Sequence, residues 1–153
     1  MHVQSGGHVV LLQERGANRM VPIWIGPDQA HSIATRLSGI VSERPLTHDL
    51  LLNVIVRLGA RVSRVVVKDL IPDEMGGGVF HGSVFLEAGG EELEIDSRAS
   101  DAIALAVRCA APILVAEAVF DRSGIANASE SDEDLSVFRS FIETLPDEPR
   151  SEP

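Results

Sequence analysis

The sequence predicts a single α+β domain followed by a short acidic tail. Two pairs of consecutive strand-like segments are joined by short turns, as in β-hairpins. Between and after them, capped segments with apolar residues at helical spacing predict helices. The chain has 153 residues and is 44% hydrophobic, which is enough to bury one core. We therefore predict one domain over residues 1–126, and an acidic hinge with an amphipathic helix over residues 127–153.

Residues 91–116 form the central unit of this predicted fold. Alternating charged and apolar residues predict a half-buried strand with Leu93 and Ile95 facing the core. Ser100 is a favourable N-cap for the helix that follows, and Asp101 in its first turn would be stabilised by the helix dipole. A proline ends this apolar helix before a short strand. Any chemistry is expected at the strand-to-helix turn.

The other segments predict two hairpins and three further helices. A Gly26-Pro27-Asp28 turn opens the first helix, and Thr47 is the predicted N-cap of the second. The Gly89-Gly90 pair predicts a tight hairpin turn before the central unit. The predicted strands are His8–Gln13, Met20–Ile25, Arg61–Leu70, Val79–Ala88 and Ile113–Val115, and the later helical segments are His48–Leu58 and Glu117–Asp121.

An internal similarity relates the first helix to the central unit. A shift of 72 residues places Ile23 on Ile95 and Ala30 on Ala102. Both segments predict a strand, a tight turn and a capped helix. The similarity indicates either a strand-turn-helix duplication or two units that are alike because all such units share this pattern.

The tail is acidic and contains a predicted amphipathic helix. From Glu130 onward it has eight acidic and two basic residues, so it carries −6 of the formal net charge of −10. Leu135, Phe138, Phe141 and Ile142 recur at helical spacing. We expect this helix to pack on its own domain or on a partner.

Composition narrows the possible functions. With −4 left for the domain, the sequence does not predict a broad basic surface, so nucleic-acid binding would depend on a local patch or on metal ions. Cys109 is the only cysteine, which excludes an intramolecular disulfide and a cysteine-rich zinc site. No apolar run reaches the length of a membrane span, and no signal peptide is recognisable. We predict a cytoplasmic protein with no membrane partner.

Three ordered motifs resemble the bifunctional nuclease domain family, formerly a domain of unknown function. They are PIWIG at 22–26, RPLTHDL at 44–50, and SDAIALA at 100–106 with API at 111–113. The resemblance covers roughly residues 8–125. It implies an α+β fold with a mixed, largely antiparallel sheet packed with helices, a homodimer, and the degradation of both RNA and DNA known for plant members. Family members usually begin with an extra strand, and here only residues 1–7 stand in its place.

Two residues at the start of the second helix are candidates for catalysis. His48 could carry a proton or bind a metal ion, and Asp49 could supply a metal-binding carboxylate. In the structural alternative, Thr47 caps the helix and Asp49 stabilises its first turn, with His48 exposed. Helix capping alone accounts for Thr47 and Asp49, two of the three residues of this motif. We therefore favour the structural interpretation at this position.

Four polar residues at the strand-to-helix turn of the central unit form a second candidate site. Arg98 and Ser100 would bind a substrate phosphate at the helix N-terminus, while Asp96 and Asp101 would act in catalysis and hold a divalent ion, Mg²⁺ or Mn²⁺. The alternative is a helix cap with a salt bridge in the turn. The sequence favours the two interpretations equally, because a cap requires neither Asp96 nor Arg98.

Three functions therefore stay open at the level of sequence. The first is a metal-assisted nuclease acting on RNA and DNA, which requires these acids and Arg98 to face one cleft. The second is a non-enzymatic, homo-oligomeric binding or regulatory module, favoured by the acidic charge and by an aromatic content of 4%. The third is a nucleotide or small-molecule binder that uses Arg98 and Ser100 for one phosphate.

Overall fold

The structure is a computed structural model and describes residues 7–74 and 77–126. These residues form four helices and seven strands. In chain order the elements are β1 (His8–Gln13), β2 (Arg19–Ile25), α1 (Pro27–Leu37), α2 (Thr47–Arg57), β3 (Ala60–Pro72), β4 (Gly78–Ala88), β5 (Glu91–Arg98), α3 (Ala99–Cys109), β6 (Ile113–Val115), α4 (Glu117–Ser123) and β7 (Ile125–Ala126). The predicted α+β class is confirmed.

The strands lie in two sheets. The smaller sheet has the order β1-β2-β7, with both pairs antiparallel. The larger sheet has the order β5-β4-β3-β6, and only its β3–β6 pair is parallel. After edge strand β5, helix α3 carries the chain back across the sheet to β6 at the opposite edge. This long crossover lets β6 run parallel to β3. The sheets are therefore mixed and largely antiparallel, as predicted.

Helix α3 is the centre of the core because both of its sides are packed. Ile103 and Ala104 belong to one buried cluster with Val21 and Ile23 of the smaller sheet, whereas Leu105 belongs to the cluster that covers the larger sheet. The many alanines of α3 let neighbouring elements approach closely. Gly82 of β4 permits one such close approach, since a Cβ atom there would lie 3.0 Å from the Cα atom of Ala99, the first residue of α3.

Leu93 and Ile95 were predicted to be buried in the core, and that prediction was wrong. Their side chains are 45% and 47% exposed, respectively. Alternation along β5 does place them on the α3 side of the sheet, paired with Leu86 and Val84 of β4. However, β5 is an edge strand, and the buried cluster under α2 and α3 is built on Val65 and Val84 of the inner strands.

Two predicted N-caps were also wrong. Helix α2 begins at Thr47, so its N-cap is Leu46, and helix α3 begins at Ala99 after Arg98. Neither N-cap side chain accepts a hydrogen bond from its helix. In α2 the carboxylate of Asp49 instead accepts a hydrogen bond from the Leu46 backbone N–H at 2.9 Å, which is the acidic half of a capping box.

Two further predictions remain untested. Both proposed repeat units fold as a strand followed directly by a helix, but β2 lies inside the smaller sheet and β5 at the edge of the larger one. Internal duplication therefore stays a prediction, and the C-terminal amphipathic helix lies outside the described residues. Within residues 7–74 and 77–126, no helix has the length and apolar character required to cross a lipid bilayer.

Candidate functional site

The candidate site lies where α1, α2 and α3 meet and is centred on His48. Its Nδ1 atom lies 2.8 Å from the hydroxyl of Ser32 on α1. Its Nε2 atom lies 3.0 Å from a carboxylate oxygen of Asp101 on α3. His48 is 7% exposed and Ser32 is 4% exposed, so this part of the site is buried. His48 was expected to be exposed, and that expectation was wrong because the N-terminus of α2 packs against α1 and α3.

Asp101 connects the buried histidine to the surface. Its second carboxylate oxygen accepts a hydrogen bond from Arg98 Nε at 2.6 Å, and the Arg98 side chain is 64% exposed. Burial acts to raise the pKa of Asp101, but hydrogen bonds and charge from Arg98 and His48 outweigh it and lower that pKa. Asp101 is therefore a stable carboxylate between a buried imidazole and an exposed guanidinium.

This charge state assigns the hydrogens on His48. An ionised carboxylate can only accept hydrogen bonds, so Nε2 of His48 carries a hydrogen and donates it to Asp101. When the ring is neutral, Nδ1 is an acceptor and the Ser32 hydroxyl donates to it, whereas in a charged ring Nδ1 donates to that hydroxyl. Both ring nitrogens are thus paired within the described residues.

A buried ion pair lies beside this chain of hydrogen bonds. Arg108 of α3 has a side chain that is only 3% exposed, and its Nε donates to Asp49 at 2.7 Å. The same guanidinium donates to the carbonyl oxygens of Ala104 and Ser32. Burial acts to raise the pKa of Asp49, but the Leu46 N–H and Arg108 outweigh it and lower that pKa. Arg108 thus joins all three helices, since its partners lie on α1, α2 and α3.

The structure separates Asp96 from the other predicted site residues. Asp96 pairs with Ser83 in the sheet, and the Ser83 hydroxyl donates to Glu94 on the face turned away from α3. Asp96 also contributes to raising the pKa of Lys68 on that face, after the larger effect of Glu94. Ser100, in contrast, lies in the first turn of α3 between Arg98 and Asp101.

The predicted pairing of Asp96 and Asp101 around a metal ion does not fit this geometry. Asp96 lies on the face of the larger sheet turned away from α3, whereas Asp101 lies on α3 itself. Among the described residues, no three His, Cys, Asp or Glu side chains are gathered closely enough to hold a metal ion.

Comparison with known proteins identifies the family. The bifunctional nuclease domain matches residues 9–128, which is most of the chain. The chain belongs to the bifunctional nuclease domain family. It is also similar to uncharacterized proteins from the Oshkosh and H37Rv strains of Mycobacterium tuberculosis, each 33% identical over 146 residues, with 90% of this chain and 84% of the relative covered. The predicted family membership is confirmed.

Two residues of this bifunctional nuclease domain site were missed from the sequence. Arg108 had a recognisable signal, because it is the one charged residue beyond the first turn of an otherwise apolar helix and so needed a buried partner. Ser32 had no such signal, since a serine at mid-helix is common and its partner is 16 residues away.

The other charged surface of the domain is largely neutralised. On the face of the larger sheet turned away from α3, Arg64 pairs with Glu92, and Lys68 pairs with Glu94. Arg64 also lies over the ring of Phe85, 3.9 Å from its centroid. These pairs are typical of a solvated sheet face. Arg98 is also paired, with Asp101, but its side chain is 64% exposed, against 33% for Arg64 and 49% for Lys68.

Proposed function

We propose that this protein is a nuclease that hydrolyses phosphodiester bonds of RNA and DNA at the junction of β5 and α3. One observation carries the proposal: within a bifunctional nuclease domain, the Asp101 carboxylate joins an exposed guanidinium to a buried imidazole. Asp101 does not need a contact with His48 in order to cap α3, because His48 belongs to α2. The buried hydroxyl of Ser97 at the same junction has no hydrogen-bond partner within the described residues.

The residues would divide the chemistry as follows. Arg98 binds the substrate phosphate together with Ser100 and the first amides of α3, because an N-terminal helix end favours anions. Asp101 orients the attacking water and accepts its proton as the P–O bond to the leaving group breaks, and the proton then passes to the leaving oxygen. His48 holds the Asp101 carboxylate in place from the buried side.

A divalent ion is not assigned to a step in this scheme. The carboxylates predicted to hold it, Asp96 and Asp101, do not converge, and Asp49 is engaged by Arg108 and Leu46. Dependence on Mg²⁺ or Mn²⁺ remains a prediction from the sequence, based on the resemblance and on carboxylates near two helix N-termini. Cleavage measured with each ion and with excess chelator tests it directly.

The test is cleavage of labelled single-stranded RNA and DNA by purified wild-type protein and matched variants. We expect Asp101→Asn to lower kcat by about 100-fold or more, in the range of general acid–base catalysis. Arg98→Ala should raise KM, because it removes the contact with phosphate. The exposed pair Asp69 and Arg122 supplies the controls, Asp69→Asn and Arg122→Ala.

Two outcomes would remove parts of this proposal. If wild-type protein free of contaminating nucleases cleaves neither substrate under any metal condition, the domain is not a nuclease, and the non-enzymatic alternative is favoured. If cleavage occurs but Asp101→Asn behaves like Asp69→Asn, the active site lies elsewhere. Asp96→Asn separates the predicted site from the one proposed here, since Asp96 faces away from α3 and its loss should leave kcat unchanged.

We also propose that the protein is a cytoplasmic homodimer. Support for the dimer comes from Leu50 and Val54 of α2 and from Leu58 directly after it, which recur at helical spacing and are all exposed. An exposed apolar stripe of this kind is typical of an interface. Light scattering of Val54→Lys should show a shift to monomer, whereas Val56→Lys, an exposed valine on another side of α2, should not. Equal masses for both variants would place the interface elsewhere.

A further inference from the structure

Ser32 uses both of its oxygen atoms at the candidate site. Its hydroxyl meets Nδ1 of His48 at 2.8 Å, and its backbone carbonyl accepts a hydrogen bond from Arg108 at 3.2 Å. Arg108 in turn binds Asp49, the residue directly after His48. The same buried guanidinium therefore restrains both residues. It binds Ser32 directly on α1, and it restrains His48 by binding its neighbour Asp49 on α2.

We propose that Ser32, held by Arg108, is a positioning residue that fixes the ring orientation and the Nε2 hydrogen of His48 toward Asp101. This inference rests on the proposed function for its catalytic consequence. Its structural content, the restraint of one imidazole hydrogen, can be measured without any activity.

The argument depends on what each ring nitrogen needs. With Asp101 ionised, Nε2 must donate, which leaves Nδ1 of the neutral ring as an acceptor in a buried position. A buried acceptor without a donor is unfavourable, and Ser32 supplies that donor. Without it, the ring has only one hydrogen bond to hold it, so rotation about its side-chain torsions becomes easier.

A serine hydroxyl also suits a ring whose charge changes during a reaction. If His48 gains a second hydrogen, at Nδ1, the hydroxyl of Ser32 can rotate and accept it. The same contact then serves both forms of the ring without movement of the helices. Alanine cannot serve either form, whereas threonine keeps the hydroxyl.

The frame around Ser32 explains why this contact is precise. Arg108 donates to carbonyl oxygens on α1 and α3 and to a carboxylate on α2, so a shift of any one helix would lengthen a hydrogen bond to a buried charge. Ser32 therefore presents its hydroxyl from a backbone that is fixed on its carbonyl side. Positioning of this kind can change rates by up to about 100-fold.

The experiment compares Ser32→Ala, Ser32→Thr and the control Thr35→Ala in the full chain. Thr35 lies one turn later on α1 and is also buried, so its substitution removes a similar hydroxyl from the same helix while the Ser32–His48 hydrogen bond is kept. The first measurement is the imidazole N–H signal of His48 in nitrogen-15 NMR, identified by its loss in His48→Gln. A buried, hydrogen-bonded hydrogen exchanges slowly with water, so wild type should show this signal.

We expect the signal to weaken or disappear in Ser32→Ala and to persist in Ser32→Thr and Thr35→Ala. The second measurement is cleavage, in which Ser32→Ala should lower kcat by about 10- to 100-fold with little change in KM, and Ser32→Thr should recover most of that loss. An unchanged imidazole signal in Ser32→Ala, or equal loss in Thr35→Ala, would overturn the positioning role. If wild type cleaves nothing, the proposed function fails, and the NMR comparison still decides whether Ser32 fixes His48.

Discussion

Removal of the Asp49 carboxylate tests the energetic importance of the frame around the site. Asp49→Ala would leave Arg108 buried, with the carbonyl oxygens of Ala104 and Ser32 but without a carboxylate. Loss of one partner from a buried ion pair costs about 3–5 kcal/mol. Because those carbonyls remain and Asp49 is partly exposed, we place the cost near the lower end. Loss of the hydrogen bond from Leu46 adds roughly 1 kcal/mol, as for other N-terminal caps.

The expected decrease in the free energy of unfolding is therefore about 4 kcal/mol, a large part of the roughly 5–15 kcal/mol typical of a domain. Urea unfolding followed by circular dichroism measures it. With an m-value of about 2 kcal/mol/M, the midpoint should fall by about 2 M. Asp69→Ala is the control, since its pair with Arg122 is exposed and should contribute no more than about 1 kcal/mol. Equal midpoint shifts in the two variants would refute the reasoning.

Three further predictions concern stability and packing. The lowered pKa values of Asp49 and Asp101 stabilise the fold above the ordinary carboxyl pKa of about 3.9, and this contribution is lost as pH falls through the lowered values. The urea midpoint should therefore fall on acidification more steeply for wild type than for Asp49→Asn, and parallel pH curves would contradict this. Gly82→Ala should cost about 1–3 kcal/mol in thermal unfolding, because its Cβ would press on the start of α3, and an unchanged Tm would contradict that close approach. Leu93→Ala should cost less than about 1.5 kcal/mol and Leu105→Ala about 2–5 kcal/mol, since only Leu105 is buried, and similar costs would contradict the edge position of β5.

The local elements of the fold were predictable because their signals lie within a few residues. The hairpin between β4 and β5 turns at Gly89 and Gly90, and both have positive φ angles that favour glycine. The division into two sheets was not predictable, because strand order depends on pairings between distant segments. Strand β7 illustrates this dependence on distant segments. It has only two residues, and nothing in their sequence indicates that they pair with Arg19 and Met20.

Asp96 was predicted to lie beside Asp101, and the alternation of side chains along the strand already argued against this. If Leu93 and Ile95 lie on the α3 side of a strand, then Asp96 must lie on the other side, because neighbouring side chains alternate. The turn predicted between the strand and the helix of the central unit would have interrupted this alternation. In the structure β5 continues through Arg98 and α3 begins at once, so the alternation persists as far as Asp96.

The contact between His48 and Asp101 could not be predicted, and it distinguishes a site from a helix cap. Each residue alone has a sufficient local explanation, since both lie in the first turn of a helix where polar residues are common. Their 3.0 Å contact depends on how α2 crosses α3 over a separation of 53 residues. That crossing is fixed by Arg108, whose buried charge must find partners on all three helices. The residue that most clearly needed a tertiary partner thus determines where the proposed catalytic residues meet.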